Sequence, residues 1–353
     1  MKILLFVDKL FGGGAQRVAS ILLNHLCTKH SVTAVIFNDK HPTYPLNPQI
    51  SIQKITIDGG IRFLHPIERI HKIRQSITRN TPDLIISFLV DVNVYILLAN
   101  IFNKRKIIVS ERNTLKHVRS RTIRLLRILT YPIADKIVFV TNADKENFDC
   151  KRKSVTIYNP SMFLCHSDYT NRNKTIITIA STNRWYDKGL DLLIAAWGKI
   201  SGQNPEWDLE IMGRTNNKIP NEIQRLQQER VTWLGWKDNV DKILCDKSIF
   251  VLASRYEGCP NSLIEAMNQG CACLATDCDG GMKEIITEGK SGLLARNGDV
   301  DDLAAKLQLL IENEELRQRL SAGAVEEVKR FDKELIMKQW DELIEDVTQR
   351  AQR

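Results

Sequence analysis

The chain has 353 residues, 43% of them apolar and 26% charged, the balance of a soluble globular protein that is too long for one ordinary core and sufficient for two domains. Its net charge of +8 is unevenly divided: residues 1–165 carry 25 Lys and Arg against 11 Asp and Glu, a balance of +14, whereas residues 166–353 carry 25 against 31, a balance of −6. No run of about 18 apolar residues that would cross a bilayer is present, and the short N-terminal apolar run stopped by Asp8 reads as a first strand rather than a signal peptide, so a cytoplasmic chain whose first half meets an anionic partner is expected.

Short apolar runs alternate with amphipathic stretches. Strands are predicted near 3–8, 32–37, 84–89, 106–110, 137–141 and 155–158, with helices over 15–27, 66–78 and 118–129 among them. The pattern pauses at Asn159-Pro160 and in the polar stretch 167–174. It resumes with strands near 175–180, 208–212, 231–235, 249–253 and 273–277 and with helices such as 189–200 and 262–269. From about 299 onward only helical periodicity remains. Strands that alternate with helices imply parallel sheets covered on both faces. The expected fold is therefore α/β with two Rossmann-like domains, 1–160 and 161–331. Ligands of such sheets bind outside the carboxyl ends of the strands, and two sheets facing each other make a deep cleft. The eight cysteines contain no pair of C-x-x-C hooks, which argues against zinc. Cys271 and Cys273 fall at a predicted strand and are expected to be reduced core residues.

Four strings carry chemistry. Phe11-Gly12-Gly13-Gly14-Ala15-Gln16-Arg17 follows the first strand and opens a helix, where glycines and free N–H groups let an anion approach. Arg17 stands where a dinucleotide-binding motif would have its third glycine, which counts against a nicotinamide cofactor. Arg184-Trp185-Tyr186-Asp187-Lys188-Gly189 places a fixed cation and a lysine four residues apart, able to point at one diphosphate. Glu257-Gly258-Cys259-Pro260-Asn261-Ser262-Leu263-Ile264-Glu265 sets two glutamates eight apart at a strand-to-helix junction. There Pro260 suits a first helical turn, the free N–H groups of that turn can meet sugar hydroxyls, and Glu265, two turns in, can accept both hydroxyls of a ribose. Asp277-Cys278-Asp279-Gly280-Gly281 repeats the strand, glycine turn and helix arrangement; its two aspartates fit a metal motif in spacing only, and no metal or other cofactor is expected. A fifth stretch, residues 116–128, interleaves Lys116, Arg119, Arg121, Arg124 and Arg127 with apolar residues, the pattern of a basic amphipathic helix on an anionic membrane surface.

In order and spacing, the strings at 184–189, 257–267 and 276–286 resemble the second half of family-4 retaining glycosyltransferases with the GT-B fold. The glycine loop at 12–17, Ile86-Ser87-Phe88-Leu89, Val109-Ser110-Glu111 and Tyr158-Asn159-Pro160 are similar, less specifically, to the acceptor-side domain of bacterial enzymes that build lipid-linked glycans, O-antigens and capsules. The resemblance implies that Arg184 and Lys188 bind a donor diphosphate and that Glu265 holds the ribose. Glu257, Gly258, Cys259, Asn261 and Ser262 would line the donor sugar, Gly13 and Gly14 would close on the phosphates, and Trp236 and Lys237 would lie near the base. It also implies that a last helix, 332–353, crosses back to the first domain, and that the acceptor is a glycan on a lipid carrier at the inner face of the membrane. UDP is expected as the nucleotide.

Two departures stand out. The Arg-to-Lys spacing is four, where the family usually has five. Arg112 stands where many relatives carry a histidine; a permanently protonated guanidinium can instead stabilise negative charge on a departing phosphate. The reaction so implied is retaining and metal-independent, with the acceptor hydroxyl attacking the face that the nucleoside diphosphate leaves. Rival readings are a sugar-nucleotide epimerase of the same architecture, for which no acid/base histidine stands out in the second half, and a basic nucleic-acid-binding protein. The aromatic residues do not interleave with the basic ones as stacking platforms would, so no nucleic acid is expected.

Overall fold

A computed structural model describes residues 1–38, 41–56, 65–112, 120–148, 150–162, 172–214, 230–278 and 281–349. The chain divides into two compact units, one of Met1–Pro160 with Glu334–Arg353 and one of Ser161–Lys333. Among the described residues no helix is long and apolar enough to cross a membrane.

The first unit is built on seven parallel strands: β1 (Lys2–Val7), β2 (Ser31–Ile36), β3 (Ser51–Lys54), β4 (Leu84–Phe88), β5 (Lys106–Ser110), β6 (Lys136–Phe139) and β7 (Ser154–Thr156). Their order across the sheet is β3-β2-β1-β4-β5-β6-β7. β1 and β4 are covered on both faces, which is why they read as continuous apolar runs. β3 escaped the sequence reading because Ser51-Ile52-Gln53-Lys54 is short and mostly exposed, and lies at the sheet edge with pairing on one side only. The strand order reverses between β1 and β4, so the loops after these two strands diverge and leave a crevice at their carboxyl ends.

The last helix, Lys333–Gln349, belongs to this unit from Glu334 onward. It buries Ile336, Met337, Trp340, Leu343, Ile344 and Val347, one stripe at spacings of three and four. Trp340 stacks on Phe88 with ring centroids 6.1 Å apart, Asp341 takes hydrogen bonds from Lys29 (2.6 Å) and His25 (3.0 Å), and Lys136 pairs with Asp346 at 2.9 Å. An apolar stripe fixed by ion pairs at its margin sets both the contact and its register.

The second unit carries six parallel strands: β8 (Asn173–Ile179), β9 (Asp208–Met212), β10 (Val231–Gly235), β11 (Lys247–Leu252), β12 (Ala272–Asp277) and β13 (Leu293–Arg296), in the order β10-β9-β8-β11-β12-β13. β13 is another short edge strand absent from the sequence reading. β8 begins at Asn173, so the polar stretch 167–174 already enters the sheet at its end; most of the rest of that stretch lies outside the described residues. One core joins Trp197 and Trp207 to Ile176, Leu209, Val251 and Leu274 from the sheet and to Leu303, Leu307 and Leu320 from the helices Val300–Glu312 and Glu314–Val328. Cys271 and Cys273 are fully buried and unbridged, and burial pushes the Cys271 thiol up to about 12. The reversal of strand order here falls between β8 and β11.

Candidate active site

The second unit's switch point is where the sequence motifs converge. The loop after β8 carries Arg184 and Lys188, and the loop after β11 carries Glu257. The first loop is a tight turn: the Lys188 amide donates to the Arg184 carbonyl at 2.8 Å and the Gly189 amide to the Tyr186 carbonyl at 3.1 Å. Gly189 then caps the helix Leu190–Ile200 in the left-handed conformation, φ 59°. A Cβ there would stand 1.8 Å from the carbonyl oxygen of Ala253, so the turn lies backbone against backbone on the end of β11, and only glycine permits the approach.

That contact brings the second basic residue onto the first glutamate. Lys188 Nζ donates to Glu257 Oε1, which also accepts from Ser254 Oγ at 3.0 Å. Both members of the ion pair are largely buried, so their mutual attraction is screened less than at a surface. Cys278, at the end of β12, senses the same carboxylate: burial, with the Glu257 charge adding to it, pushes its thiol up to about 12. Arg184 is more open, with Nε 3.5 Å from Asp187 Oδ2. Asp277 pairs with Lys283 at 2.7 Å, and Asp279 and Gly280 lie outside the described residues.

The helix Asn261–Asn268 follows Pro260, whose extended ψ of 114° puts it just before the first turn rather than in it. Glu265 is the fifth residue of that helix, one turn in rather than two, and it is buried. Gly258 and Cys259 are buried in the connecting turn, while Asn261 and Ser262 are half-buried at the helix start. At the end of β10, Trp236 and Lys237 are exposed. The indole of Trp236 donates to Asp238 at 2.9 Å, and the Arg214 guanidinium covers it at 4.2 Å.

In the first unit, Gly13 adopts φ 74° and precedes the helix Gly14–Leu26 with no side-chain cap, and the Gln16 side chain lies against it. Both glycines are exposed. Gln16 donates to Asp8 at 2.9 Å, and the Arg17 guanidinium lies 5.7 Å from the Tyr44 ring. Arg112, just past β5, is buried. Its guanidinium sits 4.7 Å from the Phe88 ring and 5.8 Å from the Trp340 ring, and it donates to Asn159 at 2.9 Å.

A further expectation is overturned. Arg127 does not face outward from the helix Arg121–Thr130. It is buried 3.7 Å from Glu111, a carboxylate that also accepts from the Tyr131 hydroxyl at 2.7 Å. The helix turns inward at this position because a buried carboxylate needs a cation more than the surface does. Arg124 is exposed; Lys116 and Arg119 lie outside the described residues.

Residues 166–327 match the family described as glycosyl transferases group 1. The chain has the GT-B fold and is a glycosyltransferase, with the group 1 match confined to residues 166–327. It is 25% identical, over 98% of its length and 99% of the relative's, to the Campylobacter jejuni enzyme named GalNAc-alpha-(1->4)-GalNAc-alpha-(1->3)-diNAcBac-PP-undecaprenol alpha-1,4-N-acetyl-D-galactosaminyltransferase. It is 26% identical to the amylovoran biosynthesis glycosyltransferase AmsD of Erwinia amylovora, over 97% of this chain and 99% of that one. In structure it resembles HepE of Anabaena in complex with UDP and glucose, with a TM-score of 0.82, 19% identity and coverage of 98% and 99%. The lipopolysaccharide outer core galactosyltransferase WaaB gives a TM-score of 0.76 at 20% identity, over 98% of this chain and 99% of that one.

The motifs of this glycosyltransferase announced Lys188 and Glu257 but not their pairing, nor the part of Ser254 in it. Ser254 lies three residues before Glu257 with no pattern to mark it. Only the crossing of the two loops gives it a function.

Proposed function

We propose that this glycosyltransferase is a family-4 enzyme that transfers a hexose or N-acetylhexosamine from a nucleotide-diphosphate sugar, UDP foremost, with retention of configuration and without a required metal. The acceptor is a glycan on a lipid carrier at the cytoplasmic face of the membrane, in assembly of a surface polysaccharide or glycoconjugate. The observation that carries this reading is the Arg184–Lys188 turn held against Glu257 at the switch point between β8 and β11. Two cations on one turn suit a leaving diphosphate. A carboxylate held on one of them is placed to accept from sugar hydroxyls once phosphate takes over the lysine. Glu265, one turn into its helix, takes the ribose. Cys259, Asn261 and Ser262 lie beside the donor sugar, and Trp236 and Lys237 flank the base. Gly13 and Gly14 offer backbone N–H groups at the start of their helix, and Arg112, beside the Phe88 and Trp340 rings, is a fixed positive charge of the kind that suits a departing phosphate. The diphosphate leaves as an oxocarbenium-like centre forms, and the acceptor hydroxyl attacks from the same face, passing its proton to the departing phosphate oxygen.

The membrane part of the reading gains support from the outer face of the helix Arg121–Thr130. Leu125, Ile128 and Leu129, at spacings of three and four, are more than half exposed, as Arg121 and Arg124 are exposed beside them; Ile133 continues the face. Apolar residues flanked by arginines suit an anionic bilayer surface, the former entering its headgroup region and the latter meeting its charge. Arg17, at the glycine loop, is assigned to the acceptor side.

The test is a binding and hydrolysis panel of UDP-, GDP- and ADP-sugars with chelator present, for the wild type, Glu265→Ala and Arg184→Ala. One nucleotide bound, with slow release of its diphosphate abolished in both variants, is the expected result. Failure of every nucleotide sugar to bind, or activity that chelator removes and magnesium or manganese restores, would overturn the donor or the metal-independent part respectively.

A further inference from the structure

The residue that joins the two donor loops most extensively belongs to neither motif. Arg255 lies between Ser254 and Glu257 in the loop after β11, with its side chain largely buried. Its two terminal nitrogens form a bidentate pair with Asp191, Nη1 to Oδ1 at 2.7 Å and Nη2 to Oδ2 at 2.6 Å. Nη1 also donates to the Tyr186 carbonyl at 2.7 Å, and the guanidinium plane covers the Tyr186 ring at 3.9 Å. Its backbone amide donates to the Asp187 carbonyl at 2.9 Å. The arginine therefore grips the turn between Arg184 and Lys188 at two successive carbonyls, and grips the helix that follows through Asp191. Asn297 holds the arginine in turn, donating to its carbonyl at 3.1 Å.

We infer that Arg255 is a positioning residue for the donor diphosphate: it clamps the 184–189 turn onto the end of β11, so that the four-residue spacing presents Arg184 and Lys188 together beside Glu257. The inference rests on the reading of Arg184 and Lys188 as donor cations. Three features favour this over a surface ion pair. The planar fork meets both carboxylate oxygens and a carbonyl in one fixed geometry, which the freely rotating ammonium of a lysine does not set. Tyr186 stands midway in sequence between the two cations, in a turn closed by amide hydrogen bonds to the Arg184 and Tyr186 carbonyls, so what holds Tyr186 holds the turn. Gly189 already brings the turn to within a Cβ's width of Ala253, and a contact that close needs a lateral tether to set its direction.

The experiment is a coupling measurement on the full chain. UDP affinity is read by calorimetry for wild type, Arg255→Lys, Asp191→Asn, Arg184→Ala and Lys188→Ala, and for Arg255→Lys combined with Lys188→Ala; thermal unfolding is read for each. Arg255→Lys keeps the charge and gives up the fork, and Asp191→Asn removes the far anchor without touching the arginine. Both are expected to weaken UDP about tenfold, the equivalent of one hydrogen bond to a charged group. In the Lys188→Ala background part of the Arg255→Lys loss should vanish, because the residue acts through that cation as well as through Arg184. Unchanged UDP affinity in both Arg255→Lys and Asp191→Asn overturns the inference. So does a loss that adds fully to that of Lys188→Ala, since it then acts by another route or through stability alone. If Arg184→Ala and Lys188→Ala leave UDP binding intact, the donor-site reading itself fails and takes the inference with it.

Discussion

Substituting Gly189 by alanine tests the geometry of the donor turn directly. The residue holds φ 59°, and its Cβ would stand 1.8 Å from the Ala253 carbonyl oxygen and 2.7 Å from the carbonyl carbon. The left-handed conformation alone costs a residue with a Cβ about 1–2 kcal/mol. Relief to an ordinary contact of 3.4 Å requires a retreat of 1.6 Å, the difference between the two distances, and the opposing atoms are backbone at a strand end rather than a pliable side chain. Overpacking of this kind adds about 1–3 kcal/mol. Gly189→Ala should therefore destabilise the chain by about 2–5 kcal/mol. Because Lys188 travels with the turn, UDP affinity or turnover should fall about 100-fold, the effect of a misplacement near 1 Å. Urea unfolding separates the two contributions when Gly235→Ala is run beside it: Gly235 has φ 70° but open space around its Cβ, so that variant carries the conformational cost alone. Gly202→Ala, with neither constraint, serves as the neutral control for UDP binding. A Gly189→Ala protein as stable as the Gly235→Ala protein, with UDP affinity like that of Gly202→Ala, would refute the close approach of the two loops.

Three other outcomes are expected. Arg127→Ala takes the nearby cation from the buried Glu111 carboxylate and should cost about 3–5 kcal/mol in urea unfolding, whereas exposed Arg124→Ala should cost almost nothing; equal effects would contradict the inward orientation of Arg127. Replacing Leu125 and Leu129 together by aspartate should abolish binding to anionic vesicles while leaving UDP affinity intact, since both side chains are exposed; undiminished vesicle binding would remove this face from the membrane reading. Asp341 is partly buried, which works to raise its pKa, but its bonds with Lys29 and His25 outweigh burial and hold it below the ordinary aspartate value. A carboxyl lowered in the folded state contributes stability that is present above its unfolded pKa and lost as pH falls through the folded one. Asp341→Asn should thus lower the melting temperature at neutral pH, with the gap to wild type closing below about pH 4; a gap that persists in acid would show that the carboxylate's charge is not what matters.

Much of the fold was legible because both sheets are parallel and doubly covered. β1, β4, β8 and β11 appear as apolar runs between amphipathic helices, and their predicted spans differ from the observed ones by a residue or two. β3 and β13 were not, since a four-residue edge strand has pairing on one side only and no run long enough to register. The candidate site was legible wherever a motif sits at a strand-to-helix junction, because spacing there reports local geometry. It failed at Arg127: the sequence shows an arginine among apolar residues, and the carboxylate that turns it inward comes from Glu111, beyond the end of another strand.

The sequence by itself determined two α/β units, the switch-point loops and the basic and acidic residue types gathered in them. Periodicity and glycine placement are local properties, and the strand-to-loop-to-helix order follows from them. Only the tertiary structure decided that Lys188 lies on Glu257, that Ser254 and Arg255 support that contact, and that the last helix brings Trp340 to Arg112. The contacts of Lys188 and Arg255 across the two loops depend on strand order, which places β8 beside β11 and is fixed by the packing of the whole sheet, and that of Trp340 on the apolar stripe of the last helix.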